Sequence, residues 1–572
     1  MKLLEKHFDL AFAAPDGIQK LRELILTLAM QGKLVPQDLN DQPASELLKE
    51  TEAKKQQLVK EKRIGKPDLL TGINTEEVPY KLPKGWEWVI LDRFVSKIGS
   101  GSTPRGGKDA YVVEGIPFLR SQNIWNDGLR TDDVAFISEE THKKMAATTV
   151  MPMDILLNIT GASIGRCALV PDEFGEANVS QHVTIIRCIN PEIRRFIHYL
   201  FLSPYGQSLI WTRQVGMSRE GLSKKVLEQF QIPLPPLAEQ RRLVAKIDQL
   251  MSRCDELEKL RGDRNQKRIT IHTAALDRLL TAKESNDFST AWRFITQHFG
   301  ELYSVKENVV ELRKAILQLA VMGKLVDQDQ NDDQASDLLN KIRTQVNDLV
   351  RQRKERIVGF EPINVEDETF PLPENWLWVR LGSLLRNLRY GTSKKCAYDS
   401  PGTAVLRIPN IDVDNGRIHI DDLKYTNLFG SELQELYLKP NDLLMIRSNG
   451  SKSLVGRTAV VSETEEGLAY AGYLVRLRSF PECVYSRYLC FALSTVFVRE
   501  QIERPIRTTS GVKNINSTEI SNLVIPFPPL AEQRRIVAKT DQLMALCDHL
   551  DQQIDAATSK RTELLNAVMA QV

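Results

Sequence analysis

Beyond Leu237 the apolar positions of a long polar stretch fall at Leu243, Ile247, Leu250, Cys254 and Leu257, spaced four, three, four and three residues apart. Near the C-terminus Ile536, Leu543, Cys547, Leu550 and Ile554 keep the same rhythm, with Thr540 filling the gap. That alternation is the a/d seam of a coiled coil and predicts two long helices. Proline pairs at 235–236 and 528–529 stand just before them, where a missing N–H costs nothing. Two further amphipathic stretches, Ile18 to about Arg63 and Val309 to about Arg356, predict helices broken by GKLV and a polar turn. Between these flanks, short β-like runs such as DILLNITGASIG, HVTIIRC, DLLMIRSNGS and YLVRLRS alternate with polar loops. FQIPL and LVIPF read as short strands leaving the globular stretches. The order is helix, globular insert, helix, and it occurs twice.

The recurrence is literal. PPLAEQRRLVAKIDQLMSRCDEL, from Pro235, and PPLAEQRRIVAKTDQLMALCDHL, from Pro528, agree at 18 of 23 positions, 293 residues apart. LTLAMQGKLVPQD answers LQLAVMGKLVDQD at an offset of 291, and LPKGWEWV answers LPENWLWV at 290. Agreement is high in the flanks and falls away inside the inserts. A chain that duplicates its frame and varies its inserts reads as one that recognises two different things. The pattern predicts an α+β fold with an internal two-fold pseudo-repeat. Its expected divisions are an N-terminal helical region (1–79), a first insert (80–232), a central helical region (233–369), a second insert (370–525) and a C-terminal helix (526–572) that pairs with the N-terminal region. A heptad run also fits a homodimer, but four long helical segments in one chain favour internal pairing, with the central pair antiparallel.

Composition narrows the class without naming a partner. The 572 residues carry 76 basic and 74 acidic side chains, a net charge of +2 that excludes a polybasic coat but not a local basic groove. Seven cysteines without a C-x-x-C pair read as free thiols of a reducing cytosol. No apolar run approaches the length of a membrane span, and charges interrupt the N-terminal apolar stretch. The expectation is a cytoplasmic protein with no membrane partner.

Catalytic motifs are missing. GSGSTPRGGK, from Gly99, does not fit a phosphate loop, because Gly107 stands where the lysine belongs. Leu234-Pro-Pro-Leu237 and Phe527-Pro-Pro-Leu530 lack both the polar acceptor and the aromatic of an amino-methyltransferase motif. The eight histidines form no metal-spaced cluster, so no metal site is expected. Asp132-Asp133, Asp421-Asp422, Asp154 and Asp442 read as turn residues.

The inserts offer side chains that pair with base edges: Arg or Lys with guanine, Asn or Gln with adenine. Candidates in the first are Arg105, Lys108, Arg120, Gln122, Asn123, Asn158, Ser163, Gln181, Arg219 and Lys224. In the second they are Lys394, Lys395, Arg407, Asn410, Arg447, Asn449, Lys452, Thr509, Ser510, Lys513 and Asn514. Only the set carries weight.

With these motifs the chain resembles a type I restriction–modification specificity subunit. The resemblance rests on the doubled PPLAEQRR segments, the doubled GKLV segments and the LPKGWEWV and LPENWLWV starts. It implies two target-recognition domains of mixed β-sheet with helices, separated by long antiparallel coiled-coil helices. Each domain would read one half of an asymmetric bipartite sequence in double-stranded DNA, and the coiled coil would set the gap. The subunit would be non-catalytic and bind no cofactor. Two modification subunits would bring S-adenosylmethionine, and two restriction subunits ATP-driven translocation and cleavage with Mg; methylation and cleavage would both need this chain. A fused modification–specificity enzyme would require several hundred more residues. A coiled-coil scaffold without DNA would not explain divergent Arg/Asn-rich inserts in a duplicated frame.

Overall fold

The computed structural model describes residues 2–65, 72–73, 76, 78–212, 221–352, 359–504, 507–509 and 512–570. They fall into two compact units, residues 1–263 with 557–572 and residues 264–556.

In the first unit a front helix, Gly17–Met30, is followed by Ala44–Lys60 and then by the insert. The closing helix Leu237–Thr281 belongs to this unit as far as residue 263. The second unit repeats the order with Lys306–Val321, Ala335–Arg351 and the closing helix Leu530–Met569. Both front helices end at the glycine of GKLV. Gly32 and Gly323 have φ of +68° and +67°, and a Cβ there would lie 2.4 and 2.5 Å from Pro83 and Pro373. A left-handed C-terminal residue pressed against a proline ring leaves room only for glycine.

Each insert is zipped at its mouth. Glu87–Ile90 pairs antiparallel with Gln231–Leu234, and Leu377–Arg380 with Val524–Phe527. Inside lies a four-stranded antiparallel sheet, in the order Cys167–Leu169, Ile155–Asn158, Val183–Cys188, Val95–Ser100. The second unit has Thr458–Val460, Leu443–Ile446, Leu474–Ser479 and Leu385–Tyr390 in the same order. The runs ILLN and LLMI are buried throughout because strand alternation sends neighbours into different cores. Ile155 and Leu157 join the helical core with Phe196, Leu200 and Leu243, whereas Leu156 joins a second core with Leu119 and Val179. Leu443 and Met445 part from Leu444 and Ile446 in the same way.

A buried polar clasp ties each closing helix to its insert. Glu239 is 1% exposed; its carboxylate accepts from Trp86 Nε1 at 2.9 Å and from Gln37 Nε2 at 2.6 Å. Glu532 does the same with Trp376 and Gln328, at the same distances. One turn on, Arg242 pairs with Asp41 and Arg535 with Asp332. This clasp accounts for the glutamate and second arginine of the repeated A-E-Q-R-R and for the tryptophan of G-W or N-W: the indole and carboxylate complete each other in a buried site, where an unpaired group costs most.

The antiparallel partner of each closing helix is the front helix of its own unit. Arg22 reaches Asp255 and Glu258 while Gln37 reaches back to Glu239; Arg313 reaches Asp548 and Asp551 while Gln328 meets Glu532. Of the seam positions, Leu243, Ile247 and Cys254 are buried with the first core and Leu250 packs against it. Ile536 enters the second core, and Leu543, Cys547, Leu550 and Ile554 lie with the second front helix. Leu257 departs from the seam, at 46% exposure. A straight helix drifts about 20° per heptad from a 3.5-residue repeat, and here Arg22 makes the contact instead.

The tail of the first closing helix is built into the second unit, where Ala275, Leu276 and Leu279 pack with Ala315, Ile316 and Leu319. It runs in the same direction as the front helix there: His272 meets Tyr303, and Lys324 donates to Leu280 O. Helix Ser285–Gln297 turns the chain back between the two. In the first unit Leu565 and Val568 pack with Phe12, Ala14 and Leu24.

Candidate nucleic-acid interface

Sheet register gathers the variable loops of each unit at one edge. Ser100 pairs with Thr184 and Asn158 with Val183, so two strands end where the third begins. The segments 101–105, 159–166 and 180–182 leave from that edge. The turn after Leu119 joins them, since Leu119 lies beside Val179 in the neighbouring sheet and Asn158 Nδ2 donates to Ser121 O at 2.9 Å. In the second unit Tyr390 pairs with Val475, Ile446 with Leu474 and Leu406 with Tyr470. This brings 391–395, 407–410, 447–453 and 471–473 to the corresponding edge. Strand Val512–Asn514 extends it by pairing onto Ser448–Asn449, and Arg507–Thr509 pairs onto Val512–Asn514 in turn.

The candidates divide into presented and internal residues. Arg105, Gln122, Gln181, Lys224, Lys394 and Lys395 are exposed; Arg120, Ser163, Arg407, Arg447, Asn449, Lys452, Lys513 and Asn514 are half-buried. Several are already engaged: Gln122 with Asp133, Lys224 with Glu228 and Lys394 with Glu432. Lys108 lies in the short turn Gly107–Ala110 and Thr509 in a strand, while Arg219 and Ser510 lie outside the described residues.

Asn123, Asn158 and Asn410, three of the candidates, are not presented at the edge. All three are buried, and their amides hold the loops that carry the others. Asn123 accepts from Arg120 N–H and donates to the carbonyls of Arg130 and Asp133. Asn410 accepts from Arg407 N–H and donates to those of His419 and Asp422. The shared L-R-x-x-N-I is therefore a loop clamp. Its arginines lean on the same loop, Arg120 towards Asp133 at 3.8 Å and Arg407 on Asp422 at 2.7 Å.

The acidic residues read as turn formers keep that role. Asp154 Oδ2 accepts from Met151 N–H and Asp442 Oδ2 from Lys439 N–H, each at 2.8 Å, across Met153 and Asn441 at φ of +72° and +71°. Sequence reasoning missed the second half of their work: each carboxylate is gripped bidentately by an arginine, Arg187 or Arg478.

Three edge features also escaped it. Thr103, Gln181, His182 and Thr160 form a hydrogen-bonded chain across three loops. Arg166 lies 3.9 Å over the Trp125 ring, and Arg447 lies 4.2 Å over Tyr390. Aromatic residues set between arginines were the available signal for the last two.

Among the described residues no group of three His, Cys, Asp or Glu side chains could hold a metal ion. Burial raises Glu239 and Glu532 above the usual glutamate range, against the pull of their Trp and Gln donors. Burial pushes His198 down to about 4, where it bonds Cys167 O at 3.1 Å. These groups belong to the frame. Among the described residues no helix is long and apolar enough to cross a membrane.

The type I restriction modification DNA specificity domain matches twice, at residues 83–265 and 373–557. The chain is 31% identical to the EcoAI specificity subunit of Escherichia coli over 563 residues, covering 96% of this chain and 93% of that one. It is 29% identical to the Escherichia coli EcoEI specificity subunit, with the same coverage. The HsdS subunit structure from Thermoanaerobacter tengcongensis aligns at a TM-score of 0.42 and 19% identity, over 86% of this chain and 98% of that one. Two domain matches in one chain, and a relative alike along nearly all of both lengths, settle the family: this chain belongs to the DNA specificity subunits of type I restriction–modification systems, which are themselves non-catalytic.

Proposed function

We propose that each insert reads one half of an asymmetric bipartite sequence in double-stranded DNA, and that the helical frame sets the gap between the halves. The observation that carries this reading is a matched pair of edges: an almost identical clasp and sheet in each unit, with polar loops that differ gathered at the same place. Two readers joined by one stiff frame gain effective concentration only on sites with the right separation. The edges would read bases, while phosphate contacts shared with partner subunits supply much of the affinity. The partners in this reading are two modification subunits, which bring S-adenosylmethionine, and two restriction subunits, which bring ATP and Mg. Both methylation and cleavage would be directed by this chain.

The test is a methylation map. The chain is co-expressed with the modification subunit of its own system in a host lacking adenine methylation, and N6-methyladenine is located by single-molecule sequencing. The expected result is one motif of two short halves around a fixed gap. An assembled, cofactor-supplied complex that methylates nothing, or a single undivided motif, would overturn the reading.

A further inference from the structure

The two edges share their backbone bonds but differ in the side chains set on them, and one such side chain, Arg447, is not needed by the frame. Arg447 and Ile159 are the same place in the fold. Arg447 N–H donates to Tyr473 O and its carbonyl accepts from Ile515 N–H; Ile159 N–H donates to His182 O and its carbonyl accepts from Leu222 N–H. The residue before each makes the same two backbone bonds across its hairpin, Ile446 with Arg457 and Gly456, Asn158 with Arg166 and Gly165. Tyr390 likewise occupies the place of Ser100, by its pairing with Val475 where Ser100 pairs with Thr184. One unit has a serine and a buried isoleucine where the other has a tyrosine and an arginine.

The arginine is held in an unusual way. Its guanidinium carbon lies over the Tyr390 ring, 4.2 Å from the ring centre, and the Tyr390 hydroxyl accepts from Ser517 N–H at 2.8 Å. Among the described residues no carboxylate pairs with it, and its Nε is buried without a hydrogen-bond partner. A guanidinium held over an aromatic ring and not paired with a carboxylate has N–H donors left for something else. The next residues on that edge, Asn449 opposite Lys513 and Ser448 opposite Asn514, supply further donors and acceptors and no acid. A planar, permanently charged fork without an anion matches the two acceptors that guanine shows in the major groove.

We infer that Arg447, held by Tyr390, is a specificity-determining residue of the second unit and reads one guanine of its half-site. The inference rests on the reading of the inserts as DNA readers. Ile159 cannot do the same, so the two half-sites differ at this place.

The test uses the assembled complex and duplexes in which each base pair of the mapped site is replaced in turn. In the wild type, replacing one G·C pair of one half-site lowers the methylation rate about 10- to 100-fold. With Arg447→Ala that penalty disappears while all others remain. With Arg447→Gln, whose amide pairs with adenine, preference at that pair moves towards A·T. Penalties unchanged at every pair, or a rate that falls evenly over all pairs down to outright loss, would overturn the inference and make Arg447 a scaffold or phosphate group. A wild-type complex with no bipartite motif would overturn the underlying reading instead, so the two failures are distinguishable.

Discussion

The two clasps and the two edges of this molecule diverge by very different amounts. Trp86–Glu239–Gln37 and Trp376–Glu532–Gln328 agree to a tenth of an ångström, and the ion pairs behind them are the same two residue types. A few strands away, Ser100 and Ile159 face Tyr390 and Arg447 at matched backbone positions. The difference follows from what each site does with its polar groups. In a clasp the indole N–H and the glutamate are buried against each other, so a change of either leaves a buried group unpaired. At an edge the backbone bonds hold the loop, and side chains can change without taking a partner away.

That contrast can be broken most sharply at the buried ion pairs. Asp154→Ala and Asp442→Ala each strand an arginine and a turn, and each should cost about 3 kcal/mol. Thermal and urea unfolding of the full chain measures this, and losses that differ widely between the two would show that the units are not energetic copies. Next come Glu239→Ala and Glu532→Ala. Each leaves an indole N–H unpaired in a buried site, for about 2 kcal/mol by the same measurement. Both pairs should far exceed Arg105→Ala or Lys395→Ala at the exposed edges, which leave the unfolding midpoint unchanged.

The smallest effect is a pH dependence. Burial raises Glu239 and Glu532, so the folded chain binds these two protons more tightly than the unfolded chain. Their contribution favours folding on the acid side. It is lost as pH rises from the ordinary glutamate value through the raised folded value. The double variant Glu239→Gln, Glu532→Gln should flatten this slope in urea midpoints taken from pH 4 upwards; a slope unchanged in the variant would assign it to other groups.

Periodicity made the closing helices legible because burial follows spacing: Leu243, Ile247 and Cys254 lie where a four-three rhythm puts them. It failed at Leu257, where the rhythm continues in sequence but the partner surface does not. The clasp was visible only as repeated letters. A glutamate in the first turn of a helix reads as a solvent-facing charge near the dipole, and nothing local says that Trp86, 153 residues earlier, will cover it. The edge was legible as a composition and not as a site. Asn123, Asn158 and Asn410 carry the same donors as Asn449 and Asn514, and only sheet register decides which amides are used inside the fold. Arg447 could be singled out only once its backbone bonds matched it to Ile159.

The shared helix tails also have a meaning in time. Phe12 and Leu24 pack with Leu565 and Val568, which the chain supplies about 540 residues later. At about 5–20 residues per second, the ribosome holds that apolar surface open for roughly half a minute to two minutes. The second unit spans residues 264–556, all made before Leu565 and Val568. Loss of Leu565 and Val568 would therefore do its damage some 540 residues away, at Phe12 and Leu24.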